Sequence, residues 1–361
     1  MIKTQHPVVI RGRASLDQNL LPADEFQRRL MFLQEKMSEE GLDALVVFGT
    51  AADYGDLCYL TSYVPFLRFG VAVVPKSGDA ALLMTSSSRD VLFQRALTVL
   101  RDVKTIDNIP AQVKKALEER GITPKKMGQA GGTSVFPVSV YDQVTNAFQD
   151  VQFVDFTGVL REMRQIKSVR EIEAIRRAHL IAKSAANALW DFHREGKTNY
   201  EAAVEAERTA YIAGAQDVRV LINKDEGNYV YPPSSDMPKT SKLLPYVAVE
   251  YLGYWADSSG EEPGGAARHA LDSGAHAAVE GATTADIVRA AQKESAGGEL
   301  LPFLKGSYGS GVGLSLNEEP FIASGQSVKL RKGMTLSLRI GFGDSLATDI
   351  VLVGRERSER L

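Results

Sequence analysis

At 361 residues the chain exceeds the size at which one hydrophobic core keeps growing, so two domains are expected. Hydrophobic residues at 44% and charged residues at 24% exclude collagen-like, disordered and disulfide-scaffold classes. A formal net charge of -3 offers no basic face to nucleic acid and no polybasic patch to a membrane, which leaves small molecules or proteins as partners.

After Pro22, the segment ADEFQRRLMFLQEKMSEEG spaces Phe26, Leu30, Leu33 and Met37 along one helix face and ends in Gly41. LDALVVFG then predicts a buried strand. Cys58 is the single cysteine, so no disulfide forms within the chain. VAVVPKSGDAALLMT reads as a hairpin, SRDVLFQRALTVL and IPAQVKKALEERG as helices, and VQFVDFTGVL as a last strand. Residues 1–158 therefore predict an α/β domain with a mixed sheet.

A second regime, 159–361, opens with REMRQIKSVREIEAIRRAHLIAKSAANALWDFH, which is amphipathic, free of Gly and Pro, and predicts one long helix. NYEAAVEAERTAYIAG predicts another, and two more are expected over 264–279 and 284–294, the last capped by Thr283 or Thr284. VRVLI, YVAVEYLGYWADSS, GVGLSLNE, MTLSLRIG and ATDIVLVG read as strands. The pattern is α+β, with helices backing an antiparallel sheet. With no signal-like or membrane-spanning apolar run, a cytoplasmic location is expected.

Residues 164–178 read R-x-I-K-S-x-x-E-I-x-x-I-R-x-A, and GYWAD (253–257), GSGVGLSLNEEP (309–320), KGMTLSLRIG (332–341) and ATDIVLV (347–353) follow in order. Together these blocks resemble the prolidase, aminopeptidase P and creatinase family. The resemblance covers nearly the whole chain and implies a creatinase-like N-terminal domain, a pita-bread C-terminal domain and a homodimer.

Active peptidases of that family hold two divalent cations with two Asp, one His and two Glu, a donor set suited to hard and borderline metals. Mapped onto the resemblance, Asp257 keeps one ligand position. Another falls on Glu250 if the connecting hairpin is shortened, or on Tyr246 if it is not; Glu250 is favoured because YVAVE matches the ligand-bearing strand. Ser310 stands for the His, Arg339 for one Glu and Thr348 for the other. The histidines that assist proton transfer and substrate binding fall on Asn317 and near Tyr229. The resemblance therefore implies a member without the metal site, and no cofactor is expected.

The substitutions turn a cation trap into a possible anion receptor, since Arg339 can neutralise Asp257 and Glu250 and offer a fork to a substrate carboxylate; the bland alternative is an ion pair that fills the site. The segment FLRFGVAVV (66–74) resembles the creatinase segment whose aromatic and Arg reach the partner protomer's site, here Phe66 and Arg68. Without a catalytic His, a general base must be Glu318, Asp257, Glu250 or Tyr229. Ser310, Asn317 and Tyr254 complete the expected substrate wall, with core packing as the alternative for the tyrosine. His6, His179, His193, His269 and His276 match no site block and are read as structural or solvated. GSYGSGVG lacks the Lys and following helix of a phosphate loop.

Two functions compete. One is a metal-independent hydrolase or lyase acting at a C–N bond of a small carboxylate-bearing substrate. The other is a catalytically dead pseudopeptidase that serves as a binding module or as the partner subunit of an active homologue.

Overall fold

The computed structural model describes residues 16–65, 68–85, 95–131, 137–226, 229–261, 265–294, 300–302, 307–343 and 345–361. Two compact units divide between Arg164 and Gln165. Among the described residues no helix is long and apolar enough to cross a membrane.

In the first unit, α1 (Ala23–Glu39) buries Phe26, Leu33 and Met37, and the chain turns at Gly41 with φ 68°. That left-handed backbone carries no steric penalty without a Cβ. Strands β1 (Ala44–Thr50), β2 (Phe69–Pro75) and β3 (Ala81–Met84) pair antiparallel in succession, the last two forming the expected hairpin. Strands β4 (Asp102–Thr105), β5 (Lys126–Ala130) and β6 (Gln152–Asp155) add parallel pairings, giving the order β4-β3-β2-β1-β5-β6. The mixed sheet is thus as its strand pattern predicts. Val46, Phe48, Val71, Val73 and Leu83 pack with Val113 and Leu117 of α3 (Ile109–Glu118) and Val144 of α4 (Val138–Ala147). The helix expected over 88–100 lies mainly outside the described residues.

Helix α2 (Gly55–Thr61) presses onto β1 and β2, and Gly49, Gly55 and Gly70 stand where a Cβ would overlap Leu57 or the Arg164 guanidinium. Arg164, at the end of this unit, pairs with buried Asp56 at 2.5 Å. The Arg that opens the R-x-I-K-S block is therefore a structural cation of the first unit.

The single helix expected from Arg161 is two. Helix α5 (Thr157–Gln165) ends, and α6 (Val169–Arg194) restarts after Ser168, whose side chain accepts from the Glu171 amide while Glu171 accepts from the Ser168 amide. This reciprocal cap satisfies two otherwise orphaned donors and fixes a new N-terminus. Ile166 bridges Met334 instead of continuing the helix.

The second unit repeats one architecture. Helices α6 and α7 (Asn199–Ile212) cover β7 (Asp217–Asn223), β8 (Val230–Tyr231), β9 (Tyr246–Tyr251) and β10 (Tyr254–Ser258), paired in the order β10-β9-β7-β8. Helices α8 (Ala266–His276) and α9 (Thr284–Lys293) cover a second antiparallel sheet. That sheet contains β11 (Leu300–Pro302), β12 (Ser307–Gly311), β13 (Glu318–Ala323), β14 (Thr335–Phe342), β15 (Ser345–Leu352) and β16 (Glu359–Arg360). Thr283, not Thr284, caps α9. GVGLSLNE is not one strand: residues 312–317 form a loop between β12 and β13.

Candidate active site

The hairpin between β9 and β10 sets the first side of the site. Its two-residue turn, Leu252 and Gly253, has φ 54° and 89°, the left-handed pair that a tight antiparallel connection requires. Leu252 pays a steric penalty there, and the Gln216 side chain accepts its amide at 2.6 Å while the Glu250 carboxylate accepts the Gly253 amide. Glu250, expected as a ligand or base, is thus a turn clamp. The register places Asp257 opposite Ala248, so Tyr246, Ala248 and Asp257 share one face. Tyr246 donates to Asp257 Oδ2 at 3.1 Å. Of the two residues the sequence left open, Tyr246 is the one whose side chain reaches Asp257.

Strand β14 supplies the other side. Ser337 and Arg339 point to one face by the period of two. Ser337 Oγ lies 2.9 and 2.7 Å from the two Asp257 oxygens, and Arg339 reaches Oδ2 through Nε at 2.8 Å and Nη2 at 2.8 Å. Asp257, Ser310, Ser337 and Arg339 are each 0% exposed. Arg339 Nη1 donates to Asn317 Oδ1 at 2.6 Å and faces Ser310 Oγ at 3.4 Å, and Nη2 donates to the Leu316 carbonyl at 2.9 Å. Every N–H of the guanidinium thus has an acceptor inside the chain. The fork expected to receive a substrate carboxylate is already occupied by Asp257 and the 316–317 loop.

The electrostatics follow from this enclosure. Burial pulls the Arg339 pKa down more than any single neighbour raises it, but the charges and hydrogen bonds of Asp257 and Tyr246 together hold the cation above its ordinary value. Burial also pushes the Tyr246 phenol well above the usual tyrosine range, so it stays a donor.

The other expected groups separate from this cluster. Glu318 pairs with Lys167 at 2.8 Å and accepts the Ser315 amide at 3.0 Å; Gly313 leaves room for the Lys167 head, where a Cβ would crowd it. It is an ion-paired acid, not an open base. Tyr229 is 75% exposed, outside any buried acid–base arrangement. Tyr254 is buried and donates to Glu171 Oε1 at 3.3 Å, in the first turn of α6. Arg68 is exposed with φ 46° just before β2, and Phe66 lies outside the described residues.

Behind the site, on the opposite face of β15, buried Asp349 receives His179 Nε2 at 3.1 Å, Arg268 at 3.0 Å and Arg360 Nε at 2.8 Å. His179 Nδ1 lies 3.0 Å from the Asp257 carbonyl oxygen. Both ring nitrogens thus face oxygen atoms. Burial would raise the Asp349 carboxyl, but the His179 bond and charge with Arg360 hold it far below the usual carboxylate range. His193 is likewise buried, with Nε2 on the Thr240 carbonyl at 2.9 Å.

Sequence reasoning missed Ser337 and Lys167. The alternation T-L-S-L-R puts Ser337 on the Arg339 face, and that signal was available. The Lys167 pairing has no local signal, because its partner is remote in the chain.

Residues 29–166 match the creatinase/prolidase N-terminal domain, and residues 173–353 match metallopeptidase family M24. The chain belongs to this family of hydrolases. It is 25% identical over 341 residues to "Probable dipeptidase PepE" of Mycobacterium tuberculosis, covering 88% of each chain. It is 26% identical over 186 residues to a Bacillus creatinase, covering 50% of this chain and 43% of that one. The prolidase structure from Pyrococcus horikoshii superposes with TM-score 0.74 at 20% identity, over 92% of this chain and 97% of that one. The two-domain creatinase and pita-bread fold is therefore shown.

The M24 family name implies a metal, and the donor set here does not fit one. Asp257 is the one carboxylate in its cluster, and a guanidinium already neutralises it at 2.8 Å. Thr348, in register with Arg339, presents a buried hydroxyl without a hydrogen-bond partner among the described residues instead of an anionic oxygen. Among the described residues no group of three or more His, Cys, Asp or Glu side chains is placed to hold a metal ion. No reaction step through a metal follows from these side chains.

Proposed function

We propose that this M24 member is metal-independent and has lost two-metal peptide hydrolysis, its former centre having become a self-contained ion pair. The supporting observation is the enclosure of Arg339, whose N–H groups are all taken up by Asp257, Asn317, Ser310 and Leu316. A divalent cation at Asp257 would have to displace a cation that cannot leave. The test is metal content by mass spectrometry after dialysis against manganese, cobalt and zinc, together with assays on Xaa-Pro dipeptides. Substoichiometric metal and no hydrolysis are expected; stoichiometric metal with chelator-sensitive hydrolysis overturns the reading.

A second reading has its own support in the 66–74 segment and the creatinase relative. In it, a second copy of the chain brings Phe66 and Arg68 to the site, and a small carboxylate-bearing substrate is cleaved at a C–N bond. Arg339 would then have to exchange Asn317 and Leu316 for the substrate. Turnover or thermal stabilisation by guanidino acids and small amides, lost in Arg68→Ala, supports this reading; no effect across the panel leaves the pseudopeptidase alternative, a binding module.

A further inference from the structure

We propose that Arg219, lying over Trp255, binds a small organic monocarboxylate on the face of the β7-β9-β10 sheet that carries Asp257. The register sets Arg219 opposite Ala248 and Ala248 opposite Asp257, so the three side chains stand in one row on one face. The Asp257–Arg339 cluster closes one end of that row, and Arg219 holds the other. Strands β7, β9 and β10 are described without a break.

Arg339 has no N–H left for a ligand, whereas Arg219 does. Its side chain is 54% exposed, and its guanidinium extends over the middle strand to lie 4.3 Å from the centroid of the buried Trp255 ring. The negative face of the indole holds the cation flat, and a stacked guanidinium keeps its in-plane N–H groups available. Among the described residues those groups make no hydrogen bond. The Asp217 carboxylate comes to 3.6 Å from Nη2, beyond hydrogen-bonding distance. A planar fork held in this way matches the two oxygens of a carboxylate.

The surroundings set the charge of the ligand. Asp217 stands opposite Glu250, and both share the face of Arg219 and Ala248. These two acids repel any incoming anion, and they repel a dianion more than a monoanion. One guanidinium therefore suits a single carboxylate better than a phosphate.

The test is a titration of the full chain with benzoate, following the indole N–H signals by NMR. The chain has 2 tryptophans, so Trp190→Phe identifies the Trp255 signal. A saturable shift of that signal is expected, with benzamide, which lacks the charge, and phenyl phosphate, a dianion at neutral pH, each weaker by about ten-fold or more, about 1.4 kcal/mol. Arg219→Gln should weaken benzoate binding to the same extent, and Arg219→Lys, which keeps the charge and loses the fork, should fall between the two. The absence of a saturable shift, an equal response to benzamide, tighter binding of phenyl phosphate, or undiminished binding by either variant overturns the proposal. The inference goes beyond the loss of metal-dependent hydrolysis and does not rest on it. A metal-loaded chain that still gives the Arg219-dependent shift would overturn that reading alone.

Discussion

The Asp257–Arg339 pair shows how one substitution sets the demands on its neighbours. A buried carboxylate and guanidinium each lose hydration worth several kcal/mol, and the pair is stable because hydroxyls and a carbonyl complete its hydrogen bonds. Removing one partner strands the other. Arg339→Met should therefore destabilise by about 3–5 kcal/mol, measured by denaturant unfolding. Asp257→Asn/Arg339→Met should be more stable than Arg339→Met alone, because an amide still accepts from Tyr246 and Ser337 without a buried charge. A double variant no better than the single would mean that the pair contributes nothing as an ion pair. At this scale the sequence was legible in residue identity and less so in role. Asp257, Ser310, Asn317 and Arg339 do converge, yet they satisfy one another. Glu318 could not be read as ion-paired because Lys167 lies far away along the chain, and Glu250 could not be read as a turn clamp without the register.

At the scale of elements, local chemistry overrode helical periodicity. The apolar spacing from 161 to 193 runs on without Gly or Pro, but the S-x-x-E pattern at Ser168 and Glu171 ends one helix and starts another. Period alone merges the two; the capping box, present in the sequence, separates them. Ser168→Ala should cost about 1 kcal/mol, read as a lowered unfolding free energy, and Ser168→Asp should restore most of it. A neutral alanine variant would show that the α6 start is held by packing alone. The hairpin gives a second case. Its Leu-Gly turn fixes the separation of Tyr246 and Asp257, which motif matching left open between Tyr246 and Glu250. Strand existence was legible from β-branched runs, whereas the 312–317 loop was not, because VGLSL alternates as a strand does.

For the molecule as a whole, the second domain was readable from five short blocks between 164 and 353, and the first from its succession of strands and helices. What the blocks could not convey is how the second unit distributes its charges. Asp349 gathers His179, Arg268 and Arg360 from two helices and the last strand. Its carboxyl is held below the unfolded value of 3.8, so this group favours folding in full above that pH, and the contribution is lost as pH falls from there through the lower folded value. Unfolding free energy measured between about pH 5 and pH 2 should fall more steeply for the native chain than for Asp349→Asn. Equal slopes would place the acid sensitivity elsewhere.

A metal-bound protein is stabilised by mass action, so its folded population follows the free ion concentration around it. Arg339 brings its positive charge on a covalent tether. Its occupancy cannot be diluted, chelated or exchanged for a competing ion. On the metal-independent reading proposed above, the centre of this domain is uncoupled from metal supply: its integrity is inherited with the backbone and needs no loading after synthesis.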